Sequence, residues 1–189
     1  MYSKTLFAGW ADMDFNSHMK NTAFLDKSAD VRTMFFSENG FPAAEFARLK
    51  LGPVVMKDEV EYQREVGLLQ EITVTLAIAG LSPDGSRFLL RNEICLPDGK
   101  LCAKVTSAGG WLDLAARKLV APPAALLAAL QSLPQTSDFK TPPSSIKERV
   151  NVSNPSIEAT AAGKPAPAPY VNRLSAVTPK THIYREEKL

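Results

Sequence analysis

Four successive segments with a two-residue hydrophobic period, preceded by a single long helical one, constrain this chain more than any other feature. From Glu71 to Leu81, the residues Ile72, Val74, Leu76 and Ile78 alternate with Thr73, Thr75, Ala77 and Ala79, the pattern of a strand with one buried face. Val54 to Val66, Ser86 to Leu96 and Lys100 to Leu114 read the same way, with turns at Pro83-Asp84-Gly85 and Asp98-Gly99. Ahead of them Tyr2 to Trp10 reads as a first strand. Phe24, Val31 and Phe35, joined by Leu25 and Met34, then recur at helical spacing between about Asn21 and Glu38. Asn21 or Thr22 can cap that helix and Asn39-Gly40 stops it, after which Phe41-Pro42 opens a loop or short second helix through Leu49. Gly109-Gly110 inside the last strand signals a bulge or a close approach. Pro122-Pro123 starts a short helix from Ala124 to Leu133. A helix that must bury one stripe, followed by long hairpin strands, implies an α+β fold with the sheet wrapped on the helix. The expected order is strand, long central helix, four antiparallel strands, short C-terminal helix.

With 189 residues the chain has room for one domain with a real core, assigned here to residues 1–133. Residues 134–189 hold eight of the 14 prolines and few large apolar residues, with runs such as Lys164-Pro165-Ala166-Pro167-Ala168-Pro169. Such a segment buries too little surface to offset its ordering entropy and is expected to be a mostly disordered tail, in which Tyr170-Val171 and His182-Ile183-Tyr184 could dock. The net charge of +2 comes from this tail, with eight Lys/Arg against five Asp/Glu, so the folded body carries no footprint for nucleic acid. No stretch approaches the roughly 20 apolar residues of a membrane span, and the charge-free run Thr5 to Ala11 is too short for a signal peptide, so a cytoplasmic location is expected. Cys95 and Cys102 have neither a disulfide framework nor metal spacing. A tight Asp98-Gly99 hairpin would set them opposite each other as two small reduced hydrophobes.

The chemistry-bearing stretch is Trp10-Ala11-Asp12-Met13-Asp14-Phe15-Asn16-Ser17-His18-Met19-Lys20-Asn21. Asp14, Asn16 and His18 fall at alternate positions, so an extended backbone would project all three to one side. A carboxylate, an amide and an imidazole would then meet just before a helix N-terminus, which offers unpaired N–H groups and partial positive charge. That set suits thioester hydrolysis. Asp14 can serve as base or nucleophile, His18 and Asn16 can orient water, and amides at the helix start can meet the oxyanion. Asn21 and Thr22, at that start, are the candidate substrate-binding residues. The same residue types also build ordinary turns and caps. Asp12 in particular reads as bonded to turn amides, and Tyr62 and Trp111 as core or dimer-interface aromatics.

The stretch resembles the signature of the 4-hydroxybenzoyl-CoA thioesterase-like hotdog family, in which an Asp before the long helix drives hydrolysis. It is still more similar to the catalytic repeat of plant fatty acyl-carrier-protein thioesterases, matching Trp-x-Asp-x-Asp-x-Asn-x-His-x-x-Asn at Trp10, Asp12, Asp14, Asn16, His18 and Asn21. Glu61-Tyr62-Gln63-Arg64-Glu65-Val66 resembles that family's Glu-Tyr-x-Arg-Glu-Cys strand. The resemblance implies a catalytic set of Asp14, Asn16, His18 and Glu65. Val66 stands where a cysteine would, and Ser17 where a glycine is frequent. It further implies a single hotdog fold over about Tyr2 to Leu133, no metal or cofactor, and a homodimer or homotetramer with substrate between protomers. The expected substrate is an acyl-CoA or acyl-carrier-protein thioester. Two other functions share these features: an enoyl-thioester hydratase or dehydratase on the same fold, and a non-catalytic acyl-thioester-binding module.

Overall fold

The hairpin strands and the helical stripe assemble as their periods require. The computed structural model describes residues 1–146. In chain order the elements are β1 (Tyr2–Phe7), a 3-10 turn (Trp10–Asp12), α1 (Asn21–Glu38), α2 (Ala43–Leu49), β2 (Leu51–Tyr62), β3 (Glu71–Leu81), β4 (Arg87–Cys95), β5 (Leu101–Asp113), β6 (Lys118–Val120), α3 (Ala124–Ser132) and β7 (Gln135–Lys140). The sheet order β1-β3-β4-β5-β2 is antiparallel throughout, and β6 adds to β5. The long helix lies between the first strand and the hairpins in sequence and against their inner face in space, which is the hotdog arrangement. Among the described residues β2 has no strand on its outer side, and no helix is long and apolar enough to cross a membrane.

α1 buries Ala23, Phe24, Val31, Phe35 and Phe36 against the inward residues of the sheet, including Val74, Leu76, Ile78, Leu90, Ile94 and Val105. At the far end Trp111 is fully buried, 5.5 Å from Phe36, 5.2 Å from Phe88 and stacked on Phe46 of α2 at 6.1 Å. Burying aromatics of this size supplies several kcal/mol and pins α2 over the end of the sheet. Gly109 permits the close approach expected of it: a Cβ there would sit 2.6 Å from both Phe88 Cε2 and Val54 O. The ladder irregularity lies on the opposite strand, between Val55 and Lys57 of β2.

Several expectations are corrected. β1 ends at Phe7, and Trp10 belongs to the 3-10 turn, because Asp12 draws the Gly9 amide into a local bond. Met34 is solvent-facing, because the buried stripe of α1 runs through Val31, Phe35 and Phe36 instead. Lys20 holds the N-cap position of α1 without a side-chain cap. The 94/95 step of β4 is irregular, so Cys95 pairs with Leu101 and not with Cys102; both are free thiols, Cys102 buried and Cys95 half-buried.

The tail does not begin at Pro134. Gln135–Lys140 forms β7, parallel to β3, with Ile78 N–H donating to Pro134 O at 2.9 Å. Phe139 packs against the core, and Asp138 meets Arg91 of β4 in a two-bond pair at 2.6 and 2.9 Å. One aromatic and one well-aimed carboxylate are enough to order a short stretch whose average composition is poor. Tyr170-Val171 and His182-Ile183-Tyr184 lie outside the described residues.

Candidate active site

The segment before α1 is a turn, not an extended strand. Met13 bridges Met19, Asp14 N–H donates to His18 O at 2.8 Å, and Ser17 N–H donates to Asp14 O at 3.1 Å. Asp14 Oδ1 accepts the amides of Asn16 at 2.8 Å and His18 at 3.1 Å, as an Asx turn does. Ser17 takes a positive φ of 61°, at the position where glycine is frequent in the resembling family. The expectation of three side chains projecting to one side is therefore corrected. Local bonds from Asp14 to its own turn compete with the extended form and win. Asp14, Phe15 and Asn16 are exposed around the turn, with Phe15 fully so, while His18 returns toward the body.

Asp12 holds this turn to the helix. Its carboxylate accepts the Gly9 amide at 2.7 Å and pairs with Lys27 at 2.7 Å, while its carbonyl accepts the Lys20 amide at 2.8 Å. Partial burial pushes the Asp12 carboxyl up, but Lys27 and the Gly9 amide outweigh it and hold the group below its ordinary value.

His18 is brought to Glu65 by the backbone on either side. His18 bridges Gly67, and Met19 N–H donates to Val66 O at 2.8 Å. Across that short ladder His18 Nε2 stands 2.5 Å from Glu65 Oε2, in a pair that stays partly open to solvent. Beside them α1 begins. Thr22 N–H donates to Asn21 Oδ1 at 2.9 Å and Ala23 N–H to Lys20 O at 3.0 Å, which leaves Asn21 N–H with no acceptor among the described residues. Tyr62, at the end of β2, donates its hydroxyl to Asn21 O at 3.2 Å and sets its ring edge-on to Phe24 at 5.4 Å.

These groups line one open groove of about 800 Å³, walled by His18, Asn21, Phe24, Tyr62, Arg64 and Glu65. Of the residues singled out from sequence, His18, Asn21 and Glu65 meet there. Asp14, Asn16 and Thr22 are exposed nearby without lining it. Sequence reasoning missed Tyr62, Arg64 and Lys100 as groove residues. Arg64 donates to Leu101 O at 2.7 Å, and Lys100 belongs to the β4–β5 hairpin, so only the pairing of β2 with β5, distant in sequence, reveals them.

The groove can hold an extended apolar chain against Phe24 and Tyr62, place a base beside a reacting carbonyl, and offer one free amide at a helix start. Comparison with known proteins places the fold and the family. The family model of the thioesterase-like superfamily matches residues 8–130. No curated protein matches by sequence. Among solved structures, the chain is similar to a hypothetical protein of Staphylococcus aureus in complex with CoA, at 20% identity and a TM-score of 0.64 over 80% of this chain and 94% of that one. It is similar as well to a 1,4-dihydroxy-2-naphthoyl-CoA thioesterase from Synechocystis, at 16% identity and a TM-score of 0.63 over 70% of this chain and 96% of that one. A probable thioesterase from Escherichia coli aligns at 20% identity with a TM-score of 0.60, over 70% and 98%. These likenesses establish the fold, and the family match runs unbroken from the end of β1 to α3; the chain belongs to the thioesterase-like superfamily, with the hotdog fold.

Proposed function

We propose that the protein is an acyl-thioester hydrolase acting on acyl-CoA, and that the His18–Glu65 pair is its general base. The observation that carries this reading is the 2.5 Å pair standing in the same groove as the free Asn21 amide. Glu65 orients the His18 imidazole and stabilises its protonated form. His18 takes a proton from water as the water attacks the thioester carbonyl. The oxyanion develops beside Asn21 N–H and the positive end of α1, and such donors are typically worth about 3 kcal/mol each in a water-poor site. Collapse of the tetrahedral intermediate breaks the C–S bond. A thiolate leaves readily, and the proton on His18 returns to solvent or sulfur.

In this reading Asp14 positions His18 through the turn rather than attacking, because it bonds the Asn16 and His18 amides and does not line the groove. Asn16 and Thr22 are assigned supporting contacts at the rim. The choice of CoA is supported by the S. aureus protein solved with CoA and by the Synechocystis CoA thioesterase. Arg64 and Lys100 at the groove also offer positive charge to phosphate. The outer edge of β2, twelve residues long, uncovered among the described residues and carrying exposed Val55 and Met56, fits a homodimer with substrate held between protomers.

Release of free thiol from a panel of acyl-CoA and acyl-carrier-protein thioesters tests the activity and its substrate. Turnover of none of them, by protein of verified fold, would remove the proposal. Light scattering tests the dimer, and a monomer at micromolar concentration would overturn it.

A further inference from the structure

On its buried face α1 carries a charged side chain where a core residue is expected. Arg32 is 8% exposed. Its Nε donates to Ser28 O at 3.2 Å, and its buried Nη1 has no acceptor among the described residues. A guanidinium withdrawn from water needs an acceptor for each N–H, and this one lacks at least one. Arg32 lines a cleft of about 120 Å³ between α1 and β2. Buried Phe36, Phe88 and Leu90 close its inner end, while Ala29 and Thr33 of α1 and Pro53 and Val55 of β2 are exposed at its mouth. The cleft therefore opens beside β2, which has no strand on its outer side among the described residues.

That strand carries a matching acceptor. Asp58 is exposed, and among the described residues its carboxylate takes one hydrogen bond, from the buried Ser107 hydroxyl to Oδ1 at 2.5 Å. No hydrogen bond joins it to Arg32 of the same chain, although its charge favours the guanidinium. Val55 pairs with Gly109 and Asp58 with Ser107, both inward positions of β5. The irregularity between Val55 and Lys57 thus turns Val55 and Asp58 to the same face, toward α1. A second copy that lays its own β2 antiparallel along this edge over the full twelve residues sets Leu51 against Tyr62 and Val55 against Asp58. Opposed residues of an antiparallel pair share a face, with Cβ atoms about 5 Å apart. The partner's Asp58 then stands beside Val55, at the mouth of the cleft that holds Arg32. Two-fold symmetry makes the same contact twice.

We infer that Arg32 bonds the partner's Asp58 across a two-fold β2 interface, and that the two reciprocal ion pairs fix the register of the dimer. A buried charge left without its partner is costly, and so is a like-charged neighbour, so registers that part the two residues are disfavoured. The inference rests on the homodimer of the proposed function, but on no step of the hydrolysis.

Dimer dissociation constants are measured by analytical ultracentrifugation for full-length wild type, Arg32→Asp and Asp58→Arg. The two variants are also mixed in equal amounts, one carrying a mass tag so that native mass spectrometry resolves the heterodimer. Each variant alone brings like charges together at both contacts and is expected to dimerise about 100-fold or more weakly than wild type. In the mixture both contacts regain opposite charges, and a heterodimer within about 10-fold of wild-type affinity is expected. Single variants that dimerise like wild type, or a mixture without recovery, overturn the inference and leave the dimer standing. Recovery confined to a chain carrying both substitutions places the pair within one protomer and overturns it as well. A monomeric wild type removes dimer and ion pair together. Should Arg32→Asp not fold alone, coexpression with Asp58→Arg decides: a folded one-to-one heterodimer sustains the inference, and its absence overturns it. None of these readings uses thiol release, so a failure of the hydrolase activity leaves their outcome unchanged.

Discussion

His18 Nε2 and Glu65 Oε2 lie 2.5 Å apart, although α1, α2 and β2 all separate them in the sequence. The contact exists because the turn before α1 and the segment after β2 share the His18–Gly67 bridge and the Met19–Val66 bond. Both side chains are substantially exposed, so the pair adds little to stability and its value lies in chemistry. His18→Ala and Glu65→Gln are expected to lower kcat by about 100-fold or more while leaving circular dichroism and melting temperature near those of the wild type. Glu65→Gln retaining most of its turnover would reduce the pair to an ordinary surface contact.

Asp14 separates two roles by its substitutions. Asparagine keeps an oxygen that can accept the Asn16 and His18 amides, whereas alanine removes it. Asp14→Asn is expected to stay within about 10-fold of wild-type turnover and Asp14→Ala to fall further, because loss of an Asx-type bond loosens the turn by about 1 kcal/mol and misplaces His18. A loss of 100-fold or more in Asp14→Asn, measured by thiol release, would return the carboxylate itself to the chemistry.

Gly109→Ala tests the packing of the sheet against Phe88. The new methyl group would sit 2.6 Å from Phe88 Cε2 and from Val54 O, and the carbonyl belongs to a strand that cannot withdraw without breaking its ladder. The expected cost is about 1–3 kcal/mol, read as a lower midpoint in denaturant unfolding with unchanged slope.

Asp84 gives the fold an acid-sensitive corner. Its partial burial pushes the carboxyl up, but hydroxyls of Ser144, Ser82 and Ser86 and the Ser86 amide outweigh this and hold it down at about 2, from 3.8. A depressed pKa stabilises the fold wherever the unfolded chain would bind the proton and the folded one would not. The contribution is therefore complete above about pH 4 and disappears as pH falls through about 2. Allowing for solvent screening, Asp84→Asn is expected to lose about 1 kcal/mol at pH 7. The difference from wild type should shrink steadily below pH 4 in urea titrations; a difference that does not change with pH would contradict this account.

Two truncations measure what β7 contributes to the fold. A chain ending at Ile146 keeps β7, the Asp138–Arg91 pair and the Ser144–Asp84 and Ser145–Arg87 contacts. It is the reference for the shorter chain. A chain ending at Leu133 loses all of these together with the Phe139 packing, and is expected to be less stable by about 2 kcal/mol or more. Since β7 lines no part of the His18 groove, turnover per folded molecule should be alike in the two.

Much of the scaffold was legible from residue order. The bounds of α1 and β3 follow from their periods, and the stop at Asn39-Gly40 and the hairpin at Asp98-Gly99 follow from turn chemistry. His18 and Glu65 were named together through a family resemblance, since nothing local to either one announces the other. The turn holding Asp14 was misread because alternating polar residues look alike whether the backbone is extended or folded back on an Asp side chain. β7 was hidden by averaging over a proline-rich segment, and Arg32 by its place in a helical stretch where an arginine ordinarily reaches solvent.

By itself the amino-acid order determined the one-helix, many-strand plan and the residues available for chemistry, because periodicity and turn propensity act over a few neighbouring positions. Tertiary structure alone decided that His18 faces Glu65, that Tyr62 braces Asn21, and that Arg32 is withdrawn from water. Each of those depends on which strand edge and helix face come together, and that is set by burial across the whole sheet.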